Sequence, residues 1–180
     1  MNKVYYDISI SLLMGIFIIF FISNICFIFN SPFEISKFCL FAGISISLIS
    51  FIYFLKKDKF KFLNIFYLLL LLILIIFLFY LISANIIDNS YDGRNYHQSA
   101  IILLNEGWNP IYNNVFKYSE ENGFHFDNTL IWVENYTKFG EIIAANIFAF
   151  TNKIETGKII NWISAFILFC YSFTVLSKFK

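Results

Sequence analysis

Four long, predominantly apolar runs dominate the hydropathy pattern of this 180-residue chain. Each has about the 20 residues that a helix needs to cross a bilayer. The runs cover residues 8–29, 35–55, 62–87 and 159–176. The pattern therefore predicts an all-α polytopic membrane protein with four transmembrane helices. It divides the chain into three spans with short loops (1–87), a polar segment (88–158), and a fourth span with a short tail (159–180).

The polar segment carries two shorter helical patterns. Residues 95–106 place Tyr96, Ala100, Ile101 and Leu104 at helical spacing, and Gly107 then ends the pattern. Residues 138–150 repeat the arrangement with Phe139, Ile142, Ile143, Ile147 and Phe150 on one face. We therefore expect two amphipathic helices that lie flat in the membrane interface.

The stretch between these two helices mixes aromatic residues with turn formers. Asn122 and Gly123, flanked by residues 115–119 and 124–126, indicate a β-hairpin. Trp108 and Trp132 are expected to anchor the interface, where tryptophan is enriched.

Composition narrows the class of protein. Hydrophobic residues make up 59% of the chain, charged residues only 14%, and the net charge is +1, which excludes a disordered protein and a basic nucleic-acid binder. Cys26, Cys39 and Cys170 all fall inside the predicted spans, so they are expected to pack rather than to form disulfides. No phosphate-binding glycine loop, G-x-S-x-G elbow or H-E-x-x-H motif occurs in the sequence.

Charge placement predicts the topology. Lysine-rich short loops stay in the cytoplasm, and the loop between the second and third runs carries Lys56, Lys57, Lys59 and Lys61. The polar segment is acidic, with a net charge of −4. We therefore expect a membrane protein with a cytoplasmic N-terminus and an exported polar segment.

The densest polar cluster follows the third span, at residues 91–97, with Asp88 just before it. A carboxylate such as Asp92 can accept a proton from a hydroxyl group, and Arg94 or His97 can hold a phosphate or orient a sugar. The alternative is structural: Asp92 caps the following helix and Arg94 contacts lipid headgroups.

The remaining polar candidates are more isolated. His97 and His125 are the only histidines, too few and too far apart in sequence to indicate a metal site. Glu134 and Asn135 could form a second polar group facing the same site, or they could be loop or capping residues. Residues 135–137 also form a glycosylation sequon, which is typical of an exposed surface.

The strings YDGRNYH (91–97), EGWNP (106–110) and WVENYTK (132–138), with 154–158 leading into a span, resemble the first outer loop of bacterial GT-C membrane glycosyltransferases. These enzymes are related to the dolichyl-phosphate-mannose protein mannosyltransferases and to the lipid A aminoarabinose transferase. The resemblance covers residues 88–162. It departs from the family at 135–138, where a histidine and a proline are missing, and in its position after a third span rather than the first.

The resemblance implies transfer of a sugar from a polyprenyl-phosphate donor to an acceptor on the exported side of a bacterial cytoplasmic membrane, with inversion at the anomeric carbon. Asp92 would be the general base, with Asp88 as the second choice. The substrate-binding set would be Arg94, His97, Tyr96 and Glu134. No cofactor beyond the lipid-linked donor is implied, and a metal requirement stays open.

The family continues through many further helices. We therefore expect this chain to be a truncated, split or N-terminal part of such an enzyme, completed by a downstream membrane polypeptide. The rival hypothesis is a small non-enzymatic membrane subunit or scaffold that binds a partner through its acidic outer segment.

Overall fold

The computed structural model of the chain describes residues 2–31, 37–124, 130–135 and 138–177. Within them the fold is all-helical, and four helices are long and apolar enough to cross a membrane. These spans are α1 (Asn2–Ile28), α2 (Lys37–Lys57), α3 (Phe62–Asn85) and α8 (Ile159–Leu176). The prediction of an all-α polytopic membrane protein is confirmed, with most boundaries within a few residues of those expected from the apolar runs.

The first two spans approach each other through glycine. A Cβ atom on Gly43 would lie 2.6 Å from the carbonyl oxygen of Gly15 and 2.3 Å from Cγ1 of Ile19. Helices in lipid gain little from burying apolar surface, so their association depends on close backbone approach at small residues. The Gly15–Gly43 crossing therefore fixes the α1–α2 pair.

Nearer its N-terminus, α1 packs against α8. The Ser9 hydroxyl bonds the carbonyl of Ile167 at 3.3 Å, and the rings of Tyr5 and Phe173 meet edge to face at 4.9 Å. Most α3 side chains are exposed, and this span contacts α8 through Phe79 and Trp162, whose rings stack at 6.1 Å. In this bundle α1 is the central helix and α3 the peripheral one.

The polar segment is a set of short helices. It begins with a π-helical turn (Gly93–His97) that runs directly into α4 (Gln98–Asn105). Then follow α5 (Val115–Glu121), α6 (Leu130–Asn135) and α7 (Phe139–Thr151). A 3₁₀ turn (Ile154–Lys158) leads into α8. Helices α4 and α7 are the two predicted from the periodicity, and α5 and α6 were not predicted.

These short helices share a hydrophobic core that sits on the end of α1. Leu103, Trp108, Val115 and Ala145 are buried together with Phe27 of α1. Five consecutive residues of α7, from Ile142 to Asn146, are buried, so neighbours cover more than one face of this helix. The flat interfacial position of α4 and α7 stays a prediction, but α7 is also part of the core.

A buried amide on α7 bonds a side chain of α1. Asn146 is fully buried, and its Nδ2 donates to the Ser23 hydroxyl of α1 at 3.0 Å and to the carbonyl of Ile142 at 2.8 Å. A buried amide without partners would be costly, so this pair specifies how α7 seats on α1.

The predicted hairpin is wrong in its described part. Residues 115–119 are helical, and Gly123, with φ +72°, ends α5 instead of turning a hairpin. The Phe124 amide bonds the Ser119 carbonyl at 2.8 Å, which is the helix-terminating pattern that a left-handed residue permits. Residues 125 and 126 lie outside the described part of the chain.

Trp108 also differs from expectation. Its side chain is 1% exposed and its indole donates to the Asn113 carbonyl at 2.8 Å, so it is a core residue of the polar segment and not an interface anchor. Trp132 is exposed, and its anchoring role stays a prediction. Cys39 and Cys170 are buried within spans, as expected, and Cys26 is partly buried.

Candidate functional site

The residues after α3 are organised around Asp88. Its Oδ1 accepts hydrogen bonds from the Ser90 amide at 2.9 Å and the Ser90 hydroxyl at 2.7 Å. The same hydroxyl accepts from the Gly93 amide at 3.0 Å, which caps the start of the π turn. Ser90 is therefore the capping residue, and it links the cap to the Asp88 carboxylate.

The Asp88 carboxylate can lie close to Gly93 because glycine has no side chain. A Cβ atom at position 93 would lie 2.2 Å from Oδ2 of Asp88, well inside van der Waals contact. The π turn that begins at Gly93 is a rare helix form that often marks functional sites. Asp88 thus lies directly against the first turn of the helix that contains Arg94 and His97.

The pKa of the Asp88 carboxyl is lowered, chiefly because the Ser90 hydroxyl and amide donate to its charged form. Partial burial opposes this shift, and the nearby charges of Lys158 and His97 reinforce it. The Asp88 carboxyl is therefore ionised at neutral pH. Its negative charge interacts with the Lys158 ammonium and with the His97 imidazole.

Two residues of the 3₁₀ turn meet this site from the other side. The Glu155 carboxylate accepts from the Asp88 amide at 3.3 Å and from Nε2 of Gln98 at 3.4 Å. Lys158 pairs with Glu155 and donates to the carbonyl of Ile86, the residue that follows α3. These contacts hold the C-terminal end of α3 next to the N-terminal end of α8.

His97 is held by a carboxylate from α7. Its Nδ1 lies 2.6 Å from Oε1 of Glu141, whose side chain is only 11% exposed, whereas the His97 side chain is 47% exposed. A carboxylate on one ring nitrogen fixes the tautomer and leaves the other nitrogen available. The Tyr96 ring packs against the imidazole at a centroid distance of 4.2 Å.

We call these converging residues the α3-exit cluster. It consists of Asp88, His97, Gln98, Glu141, Glu155 and Lys158.

The predicted base Asp92 lies outside this cluster. Its side chain is exposed, and it makes no capping bond, so the alternative in which Asp92 caps the helix is wrong. The exposed Arg94 does not pair with it: Nε donates to the Asp88 carbonyl at 3.2 Å, and a terminal nitrogen donates to the Asn89 side chain. The structure therefore brings Asp88 and His97, but not Asp92, to the α3-exit cluster.

Glu134 has a structural role at a different place. Its Oε2 accepts from the Val115 amide at 2.8 Å and its Oε1 from Nδ2 of Asn114 at 3.4 Å, so it supports the N-terminus of α5. Of its predicted neighbours, Asn135 bonds the carbonyl of Ile131 within α6. His125 and residues 136–137 of the sequon lie outside the described residues.

One cation connects the Glu134 region to the cluster electrostatically. The Lys138 ammonium lies 5.7 Å from the centre of the Trp108 ring and donates to the carbonyl of Glu134 at 3.3 Å. Burial lowers the pKa of Lys138, and the charges of Glu141 and Glu134 act in the opposite direction. The Lys138 ammonium thus interacts electrostatically with both Glu134 and Glu141.

Three charged members of the α3-exit cluster were not predicted. They are Glu141, Glu155 and Lys158, and each is more than 40 residues from Asp88 in the chain. The sequence does indicate that Glu141 is unusual, because it falls in the first turn of an otherwise apolar helix. A partly buried carboxylate at such a position needs a hydrogen-bonding or charged partner.

The chemistry available to the cluster is that of an ionised carboxylate beside an oriented imidazole. Among the described residues, Nε2 of His97 has no hydrogen-bond partner, so it is free to take a proton from a bound hydroxyl group. In the part of the chain that the structure describes, no three or more His, Cys, Asp or Glu side chains are placed so that they could hold a metal ion together.

Comparison with known proteins adds no family. No family model, no curated protein and no solved structure matches this chain.

Proposed function

We propose that this chain is part of a GT-C-like glycosyltransferase that moves a sugar from a polyprenyl-phosphate donor to an acceptor hydroxyl on the exported side. The observation that carries the proposal is the α3-exit cluster, in which Asp88 and the His97–Glu141 pair converge at one end of a membrane span. We infer the type of reaction from the resemblance of residues 91–97 to the first outer loop of that superfamily.

In this proposal Asp88 replaces Asp92 as the preferred acidic residue. Asp92 is exposed and stands apart from the cluster, whereas Asp88 is fixed by Ser90 and faces positive charge. The Asp88 carboxylate would orient the acceptor hydroxyl by accepting its hydrogen bond. Its lowered pKa makes it a weak proton acceptor, so the proton would pass to Nε2 of His97, which Glu141 holds in position.

The bond changes in this step balance. The acceptor oxygen forms a bond to the anomeric carbon while the bond from that carbon to the phosphate oxygen breaks. The polyprenyl phosphate leaves with the electron pair, and the acceptor proton ends on the imidazole. Binding of the lipid carrier would require further helices, which a downstream membrane polypeptide would supply.

The test is sugar transfer from a labelled polyprenyl-phosphate donor in membranes, with the chain alone and with any downstream product. His97→Gln is expected to lower the transfer rate by about 100-fold or more, the usual loss for a group that takes the proton. Asp88→Asn is expected to lower it by a similar factor, because the acceptor hydroxyl loses the carboxylate that orients it. Asp92→Asn is the matched control, because it removes an exposed carboxylate four residues away, and it should change the rate less than about threefold.

The outcomes are distinct. A loss in Asp92→Asn equal to that in Asp88→Asn would return the base to Asp92, and the structural reason for preferring Asp88 would fail. Absence of transfer from every preparation, with the wild-type chain correctly inserted, would overturn the glycosyltransferase proposal.

One observation favours a second function, a non-enzymatic membrane subunit or scaffold. Most charges of the α3-exit cluster are already satisfied within the protein, since Glu155 pairs with Lys158 and His97 bonds Glu141. In this function the Glu155–Lys158 pair only holds the end of α3 next to α8, and the His97–Glu141 pair only holds the π turn against α7. In that case Asp88→Asn would lower the thermal stability of the protein, and no sugar transfer would be found.

A further inference from the structure

The short connection between α2 and α3 presents positive charge. The last two residues of α2 and this connection together carry Lys56, Lys57, Lys59 and Lys61 within six residues, and all four side chains are exposed. We call these four residues the lysine surface. It lies at the end of the bundle away from the α3-exit cluster, because α3 separates the two.

The two other residues of the connection turn inward. The side chain of Asp58, its one carboxylate, is 11% exposed and is paired with Lys3 of α1. Phe60 packs against the hydrophobic cluster that contains Val4 and Leu55. Asp58 therefore does not neutralise the lysine surface, because its carboxylate pairs with Lys3 and is largely buried against the helix bundle.

The backbone of the connection is also held. Lys59 is left-handed, with φ +60°, and the Phe60 amide bonds the Leu55 carbonyl at 3.1 Å, which closes the end of α2. With Phe60 anchored in the core and the turn closed, the outward direction of the lysines is built into the fold.

Large apolar side chains border the lysine surface on both helices. Tyr53 on α2 is 60% exposed, and Phe62 and Leu63 at the start of α3 are 83% and 58% exposed. In a membrane protein such residues face acyl chains or the interface, so the lysines lie at the height of the lipid headgroups.

We propose that the lysine surface binds anionic phospholipid headgroups. Clusters of lysine next to a membrane span attract such lipids, and the gain per lysine corresponds to about a fivefold change in affinity. The adjoining exposed apolar residues favour a phosphate that belongs to a lipid over a free phosphate. The proposal is independent of glycosyl transfer, because none of its residues belongs to the α3-exit cluster.

The experiment is native mass spectrometry of the full chain in neutral detergent with equal amounts of phosphatidylglycerol and phosphatidylcholine of the same acyl chains. The wild-type chain should bind phosphatidylglycerol preferentially, and the preference should fall as salt is raised. Lys59→Gln with Lys61→Gln should reduce the preference at least fivefold. Lys59→Arg with Lys61→Arg should keep it within twofold, which separates lost charge from misfolding.

The matched control is Lys117→Gln with Lys153→Gln, which removes two exposed lysines from the polar segment. It should leave the preference unchanged. An equal loss in the control, or an unchanged preference in the Lys59 and Lys61 glutamine variant, would overturn the proposal. Displacement of phosphatidylglycerol by an equal concentration of inorganic phosphate would overturn the assignment to lipid.

Discussion

The contact between Asp88 and Gly93 shows how one missing side chain shapes the α3-exit cluster. The carboxylate lies where a Cβ atom at position 93 would be, and there it accepts two bonds from Ser90. Because the obstructing atoms are at the end of a side chain, a larger residue at 93 would displace the carboxylate rather than break the helix.

We therefore expect Gly93→Ala to raise the pKa of Asp88 toward its ordinary value, since the displaced carboxylate loses its Ser90 bonds. The measurement is a carboxyl ¹³C NMR titration of the protein in micelles. The control is Gly140→Ala: a Cβ atom there meets nothing within 4 Å, so it should leave this pKa unchanged and stabilise α7 by up to about 1 kcal/mol. An unchanged Asp88 pKa in Gly93→Ala would contradict the geometry.

The hydrogen bonds from Ser90 to Asp88 make the stability of the protein depend on pH. A carboxyl whose pKa is lower in the folded state stabilises the fold above its unfolded-state pKa, and that contribution is lost as the pH falls through the folded-state pKa. The difference in unfolding free energy between wild type and Ser90→Ala should thus be largest at neutral pH. In acid it should shrink to about 1 kcal/mol, the share of the lost Gly93 cap. Unfolding measured from pH 7 to pH 3 would refute this if the difference stayed constant.

At the scale of helices, the α1–α2 crossing depends on close backbone approach. A Cβ atom at Gly43 meets the Gly15 carbonyl oxygen, which is backbone and cannot rotate away. The two helices would have to separate to make room, and this would loosen the contacts on both sides of the crossing.

Gly43→Ala is therefore expected to destabilise the protein by about 1–3 kcal/mol, the usual cost of overpacking. Thermal unfolding in detergent is the measurement. Ser45→Ala, at an exposed position on the same helix, should change the stability by less than about 0.5 kcal/mol. Equal stability of the two variants would show that the crossing tolerates a wider spacing.

The elements differ in how well the sequence predicted them, for physical reasons. The spans follow from composition alone, because no other structure accommodates about 20 apolar residues in a bilayer. The Asn122–Gly123 pair was misread because a left-handed residue suits a helix end as well as a hairpin. The sequence indicates that Glu141 needs a partner, but not that His97 is this partner, and it does not indicate the contact of Asp88 with Glu155. Both contacts form only when α7 and the 3₁₀ turn, which are distant in the chain, pack against the π turn.

On the scale of the whole molecule, the protein has two chemically different ends. Lys3 and Asp58 meet at one end of α1, and Phe27 contacts the core of the polar segment at the other. The lysine surface and the acidic segment are thus separated by the length of the spans. The charge difference between them predicts that the lysine end is cytoplasmic.

Cysteine labelling tests this orientation. In a variant with Cys26, Cys39 and Cys170 replaced by alanine, we expect Lys117→Cys to react with a membrane-impermeant maleimide in intact cells. Lys59→Cys should react only after the membrane is opened, although both positions are exposed. The opposite pattern would invert the topology and move the proposed acceptor chemistry to the cytoplasm.

The central position of α1 has a consequence for biosynthesis. Of the four spans α1 is made before the others, yet one of its packing faces is covered by α8, which follows the other spans and the whole polar segment in the chain. Until α8 enters the membrane, the Ile167 carbonyl that Ser9 contacts is missing and the surface around Tyr5 faces lipid. A ribosome stalled before α8 would therefore leave an open three-helix intermediate, the form in which membrane quality-control proteases or chaperones would meet this protein.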